Sequence, residues 1–225
     1  MRYLLSAAAA CLALCAPLAH AAAVNLSGYT YGPAKSVNVN IDLPGTSYDR
    51  SYGGGAGEFT GTLNGASFQT YCLDLYEFFH FGTTYNDYHL TTIDAGRAQD
   101  IGRLVTKYRG DVDTAKESAA FQVALWELTY ENSGSYDLFA GSFKETAFND
   151  GVRALAQNWL ADLGTFSNVK VFKLESLGYY NGKNQWVAGH QDFLVTTPVP
   201  EPSTTVLMIA GLVGIGFIVT RRSGR

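Results

Sequence analysis

Cysteine and basic charge are both scarce in this chain, and each scarcity excludes something. Three cysteines occur in 225 residues. Cys11 and Cys15 fall in the N-terminal segment treated below, which leaves Cys72 alone in the body of the protein. One cysteine cannot close a disulfide within its own chain, so a disulfide-stapled scaffold is excluded. Between residues 22 and 197 there are 12 Lys and Arg against 19 Asp and Glu, a net charge of −7. A domain so acidic, without a basic stripe, is not built to hold nucleic acid. The run Gly53-Gly54-Gly55-Ala56-Gly57 lacks the Lys-Ser/Thr of a phosphate cradle and is expected to be a flexible loop. His80, His89 and His190 lack paired-ligand spacing, so neither a metal nor a cofactor is expected. No nucleophile-elbow motif is present, and Asp74 and Glu77, read on one strand, would face opposite sides. Nothing here predicts a turnover enzyme.

What the chain does have is an apolar run at each end. Met1-Arg2-Tyr3 precedes an apolar stretch from Leu4 to Leu18, and Ala19-His20-Ala21 follows. A basic start, a short apolar core and small residues at Ala19 and Ala21 make a secretory signal peptide over 1–21. Leu14 before Cys15 is too large for a lipoprotein signal. At the other end Pro200-Glu201-Pro202 leads into an apolar run from Val206 to Val219, closed by Arg221 and Arg222. That run is short against the roughly 20 residues a spanning helix needs, but workable with snorkelling arginines. Arg221 and Arg222 would form the membrane stop and keep that end in the cytoplasm. The expected topology is an exported domain over 22–197 on a single C-terminal transmembrane helix.

The order Pro-Glu-Pro, apolar helix, basic terminus over 198–225 closely resembles the PEP-CTERM sorting signal of exopolysaccharide-producing Gram-negative bacteria. The resemblance implies a partner, an exosortase-type membrane transpeptidase that recognises the motif and removes the helix. It also implies a route: export across the inner membrane, transient anchoring there, then the cell surface or the extracellular space.

Within the exported domain the periodicity changes twice. Val37, Val39 and Ile41 alternate with polar residues, and Phe59, Leu63, Phe68, Tyr71, Leu73 and Leu75 suggest further strands. Ala98, Ile101, Leu104, Val105 and Tyr108 fall at helical spacing and stop at Gly110. Thr114-Ala115-Lys116-Glu117 is a capping box opening a helix to about Glu131, and Ser142-Phe143-Lys144-Glu145 is expected to open another ending near Gly164. Alternation returns from Val169 to Leu174 and near Trp186 and Val195. The fold class is therefore α+β: a β-sandwich or barrel-like framework with an inserted block of about three helices.

Two neighbourhoods carry chemistry. Tyr71-Cys72-Leu73-Asp74 holds the lone cysteine, a liability in an oxidising compartment unless it is buried or used. In the second helix, Gln122 is the only polar residue between Ser118 and Glu127. A helix apolar all round is buried, and an unpaired buried amide costs about 1–3 kcal/mol, so Gln122 needs a partner or a purpose.

A strand bearing Tyr71-Cys72-Leu73-Asp74, followed by a helix bearing Phe121-Gln122-Val123-Ala124-Leu125-Trp126, resembles the thioester domains of bacterial surface adhesins. The resemblance implies that the Cys72 thiol condenses with the Gln122 side chain, expelling ammonia, and that Trp126 matches the family's tryptophan. Tyr71, Phe121 and Trp126 are then expected to wall a dry pocket that keeps water from the bond. Such a bond would attach the protein once, covalently, to an amine-bearing target. The alternative is a structural or carbohydrate-binding matrix protein, its aromatic side chains suited to stacking on exopolysaccharide.

Overall fold

The computed structural model describes residues 21–43, 49–132, 134–146 and 151–199. Most of the signal peptide, including Ala19, lies outside these residues, as do Pro200, Glu201, Pro202, the apolar run 206–219, Arg221 and Arg222. Among the described residues no helix is long and apolar enough to cross a membrane.

Six antiparallel strands form the main sheet. They are β1 (Ala22–Tyr29), β4 (Phe59–Leu63), β5 (Ala66–Thr70), β6 (Thr84–Thr92), β8 (Val169–Ser176) and β11 (Phe193–Pro198), counted along the chain with the strands named next. Their spatial order is β11-β8-β6-β1-β4-β5. A second sheet, in the order β3-β2-β7, comprises β2 (Lys35–Ile41), β3 (Arg50–Ala56) and β7 (Phe143–Glu145). β9 (Tyr179–Tyr180) and β10 (Trp186–Val187) make a small hairpin. The helices are α1 (Ala95–Tyr108), α2 (Ala115–Tyr130) and α3 (Val152–Ala161). This is an α+β fold with three helices among the described residues.

The large sheet nearly closes on itself. Beyond the end of β5, Leu194 N donates to Tyr71 O at 2.9 Å and Leu73 N to Asp192 O at 2.8 Å. Cys72 bridges Phe193, and Thr70 Oγ1 donates to Leu194 O at 2.7 Å. These bonds bring the two edge strands together into a barrel-like seam, and that seam runs through Cys72. Satisfying edge N–H and C=O groups this way removes two exposed strand edges.

Local signals explain much of the rest. Val37, Val39 and Ile41 are buried while Ser36, Asn38 and Asn40 are exposed, as period-two alternation requires. Asp94 caps α1 by accepting from the N–H groups of Gly96 and Arg97. At α2 the Thr114–Glu117 capping box is complete, worth about 1 kcal/mol. Every residue from Ser118 to Leu128 is buried, because α2 packs against the β3-β2-β7 sheet on one side and against α1 and α3 on others.

Four local readings are overturned. Ser142-Phe143-Lys144-Glu145 opens no helix; Phe143–Glu145 is β7, paired with Val39–Ile41. Phe143 is buried, and the Ser142 and Phe143 N–H groups donate to the Glu131 carboxylate from across the chain. Those distant partners outweigh a local cap, and α3 begins only at Val152. The glycine run is no loop: Gly53, Gly54, Gly55 and Ala56 form the second half of β3, and Gly57 follows it. Tyr29 and Tyr52 both donate to Gly55 O, at 3.2 and 3.0 Å. A β-carbon at Gly55 would stand 2.6 Å from the Tyr29 hydroxyl, so the missing side chains make room for the tyrosine rings. Thirdly, the strand bearing Phe68 ends at Thr70, and Cys72 lies in the extended segment after it. Finally, Asp74 and Glu77 are not on a strand at all. Asp74 accepts from the N–H groups of Tyr76 and Glu77 in a tight turn, and burial together with the Asp74 charge raises the Glu77 carboxyl.

Candidate functional site at the barrel seam

The seam delivers Cys72 to the interior with 1% of its surface exposed. Its main chain is held by one residue of α2. Cys72 N donates to Gln122 Oε1 at 3.0 Å, and Gln122 Nε2 donates to Cys72 O at 2.8 Å. The Gln122 carboxamide thus acts as a surrogate strand, pairing both polar groups of one residue. This is the partner a buried amide requires, and it locks α2 to the seam.

The Cys72 sulfur faces a different glutamine. Gln191 Nε2 lies 2.6 Å from Sγ and donates also to Asp74 O at 2.8 Å. The thiol itself donates to Asp74 O at 2.7 Å. Gln191 is fixed from behind, since Tyr88 donates its hydroxyl proton to Gln191 O at 2.8 Å. A thiol and a carboxamide are therefore pressed together, each already positioned by bonds to other groups.

Around them lies a cavity of about 200 Å³ walled by Tyr29, Tyr52, Phe59, Phe79, Phe81 and Trp126, with Phe78 at its margin. Phe78 is 64% exposed and Phe81 44%, so the aromatic wall reaches solvent there. Tyr52 meets Trp126 edge-on at 5.6 Å, and Phe59, Phe79 and Phe193 pack edge to face. None of the cavity's lining residues is charged. Burial pushes the Cys72 thiol well above its ordinary value. Carboxylates stand behind the seam instead. Burial raises Glu77 to about 7, with Asp74 and Asp192 adding to the effect. Asp192 rises to about 6 through burial, although Lys173 donates to it at 3.0 Å.

Of the residues expected to wall the site, Trp126 lines this cavity and Tyr71 and Phe121 do not. Tyr71 precedes Cys72 on an extended segment, so its side chain leaves on the opposite face. It stacks on Phe121, ring centroids 4.6 Å apart, and lines a separate cavity with Glu58 and Arg109. Phe121 is one residue from Gln122, about 100° around the helix, and is turned away with it. Sequence reasoning missed Gln191, Tyr29 and Tyr52. Gln191 is 119 residues from Cys72, and no local pattern singles it out. The glycines opposite the two tyrosines were the available signal, misread as flexibility.

Comparison with known families places one element. Residues 198–223 match the PEP-CTERM protein-sorting motif. The match makes this an exported protein sorted by an exosortase, of the kind associated with the surface of Gram-negative cells. Neither a curated protein nor a solved structure matches the chain.

Proposed function

We propose that this exosortase-sorted surface protein carries an intramolecular thioester between Cys72 and Gln191, which attaches it covalently to an amine-bearing target. One observation carries the reading: the Gln191 carboxamide lies against the buried Cys72 sulfur in an aromatic-lined cavity. The sequence pointed to Gln122 as the acyl donor. Both ends of its carboxamide are engaged with the Cys72 main chain, so its role is to position the cysteine.

In the forming step the sulfur adds to Cδ of Gln191, the C–N bond breaks, and the nitrogen leaves as ammonia with the thiol proton. In the attaching step a primary amine adds to the same carbon, the C–S bond breaks, and the proton lost by the amine ends on Cys72. A thiolate is a good leaving group, and the apolar walls disfavour water as the competing nucleophile. Each molecule reacts once, so it serves as a chemical adhesive and not as an enzyme. Intact-mass measurement of the exported domain tests this. The expected mass is one ammonia below the sequence mass, restored in both Cys72→Ala and Gln191→Ala, with a methylamine adduct forming only in the wild type. A full sequence mass together with a thiol open to iodoacetamide defeats the proposal.

The carbohydrate-binding reading has one observation in its favour. On the β9–β10 hairpin, Tyr179, Tyr180 and Trp186 are all more than half exposed. The hairpin is stiffened by Asn181, whose side chain accepts from Lys183 N and Gln185 N. Exposed rings beside amides suit stacking on a sugar face. Retention on the producing cell's exopolysaccharide, lost on replacing all three rings by alanine, is its test.

A further inference from the structure

The Cys72 sulfur has a charge problem that the surrounding residues do not obviously solve. Forming or breaking a bond to sulfur passes through thiolate character, yet the cavity holds no cation to balance it. Tyr29 and Tyr52 spend their hydroxyl protons on Gly55 O. The donor bonded to Sγ is Gln191 Nε2, and that nitrogen is the atom expelled as ammonia when the thioester forms. Once the bond exists, the sulfur has lost the donor it started with.

Trp126 stands where a replacement is needed. It is 2% exposed, lines the cavity beside Cys72, Gln122 and Gln191, and its Nε1 has no hydrogen-bond partner. A buried indole N–H left unpaired carries a cost of about 1–3 kcal/mol, which a core position chosen for packing alone would avoid with phenylalanine. The Cys72 sulfur lines the same cavity. Burial raises the thiol, and among the groups acting the other way the Trp126 N–H is foremost.

We propose that the Trp126 indole N–H is the hydrogen-bond donor for charge developing on the Cys72 sulfur, both when the bond to Gln191 forms and when an amine breaks it. This rests on the thioester reading above and adds a residue to its chemistry. In the attaching step the C–S electron pair moves onto sulfur, and the unpartnered indole N–H in the same cavity donates to it. The proton released by the attacking amine then converts the thiolate to the thiol. Trp126 gives up no proton; it lowers the energy of the charged sulfur in a cavity where water cannot.

Two replacements at position 126 separate this role from packing: Trp126→Phe, and the benzothienyl analogue of tryptophan, which keeps the fused-ring shape and lacks the N–H. Thioester content is read from intact mass and aminolysis from the rate of methylamine adduct formation. In both variants thioester formation slows, and methylamine uptake by whatever forms falls at least tenfold, approaching the hundredfold seen for lost oxyanion donors. In methylamine-treated protein, alkylation of Cys72 by iodoacetamide moves to higher pH. If the benzothienyl protein forms and spends its thioester at the wild-type rate with an unshifted alkylation profile, the proposal is wrong, whatever Trp126→Phe does. Failure of the thioester reading shows separately, as a wild-type mass equal to that of the sequence.

Discussion

Two glutamines meet Cys72, and they do opposite things. Gln122 arrives on the buried middle of α2 and spends both ends of its carboxamide on the cysteine's main chain. Gln191 arrives on the segment that leads into the last strand of the barrel-like sheet and turns its carboxamide to the sulfur. The helix supplies an anchor, while the seam supplies the amide that the proposal makes a reactant. A side-chain amide held by two good hydrogen bonds is stabilised where it is, and reaction there would expel the Nε2 that donates to the Cys72 carbonyl. Assigning the acyl donor therefore depends on what else each amide is doing, which proximity alone does not report.

The sharpest way to break this comparison is to remove each glutamine in turn. Gln191→Ala is expected to abolish ammonia loss and methylamine labelling completely, and it also frees the thiol to alkylation once the protein is unfolded. Gln122→Ala should cost about 2–5 kcal/mol, because it leaves the Cys72 N–H and C=O buried without partners and opens a cavity. Urea denaturation measures that loss, and mass spectrometry of the folded fraction should still show thioester. If instead Gln122→Ala loses the ammonia deficit and Gln191→Ala keeps it, the two roles are exchanged.

A smaller effect contrasts Gln122 with Glu127 on the same helix. Glu127 is fully buried; Oε1 accepts from Asp137 N at 2.8 Å, and Oε2 has no partner. Burial raises its carboxyl from 4.5 to about 8. Between those values the folded protein keeps a proton that the unfolded chain has lost, so this group's contribution to stability falls as pH rises through that window. Glu127→Gln should remove that slope and be more stable than wild type at pH 8, as read from urea midpoints at pH 5 and pH 8. The smallest effect is expected far from the seam. Trp186→Ala on the exposed hairpin should change stability by no more than about 0.5 kcal/mol and leave the mass deficit intact.

The helices of this protein are legible because their signals are local. The Thr114–Glu117 box and the apolar face of Ile101, Leu104 and Tyr108 need only neighbours within a turn or two. Burial of Gln122 was legible too, since the eight residues from Ala119 to Trp126 hold no other polar side chain and leave a helix no wet face. The errors share a cause. Ser142–Glu145 satisfies a capping pattern, but pairing with β2 and the Glu131 carboxylate decide its conformation. Gly53–Gly55 looks like a hinge until the Tyr29 and Tyr52 rings are laid across it. Tyr71 and Phe121 flank the site residues in sequence, and for that reason they point away from them.

By itself the sequence determined the address of this protein, its class of fold, and the fact that Cys72 lies in company that must be buried. Those follow from composition, periodicity and a C-terminal motif, all written in contiguous residues. Which glutamine confronts that cysteine, and which aromatic rings surround it, only the tertiary structure decided. The reason is physical: the sheet closes by bringing Tyr71–Leu73 against Asp192–Leu194, and that pairing carries no signature at either end until the ends meet.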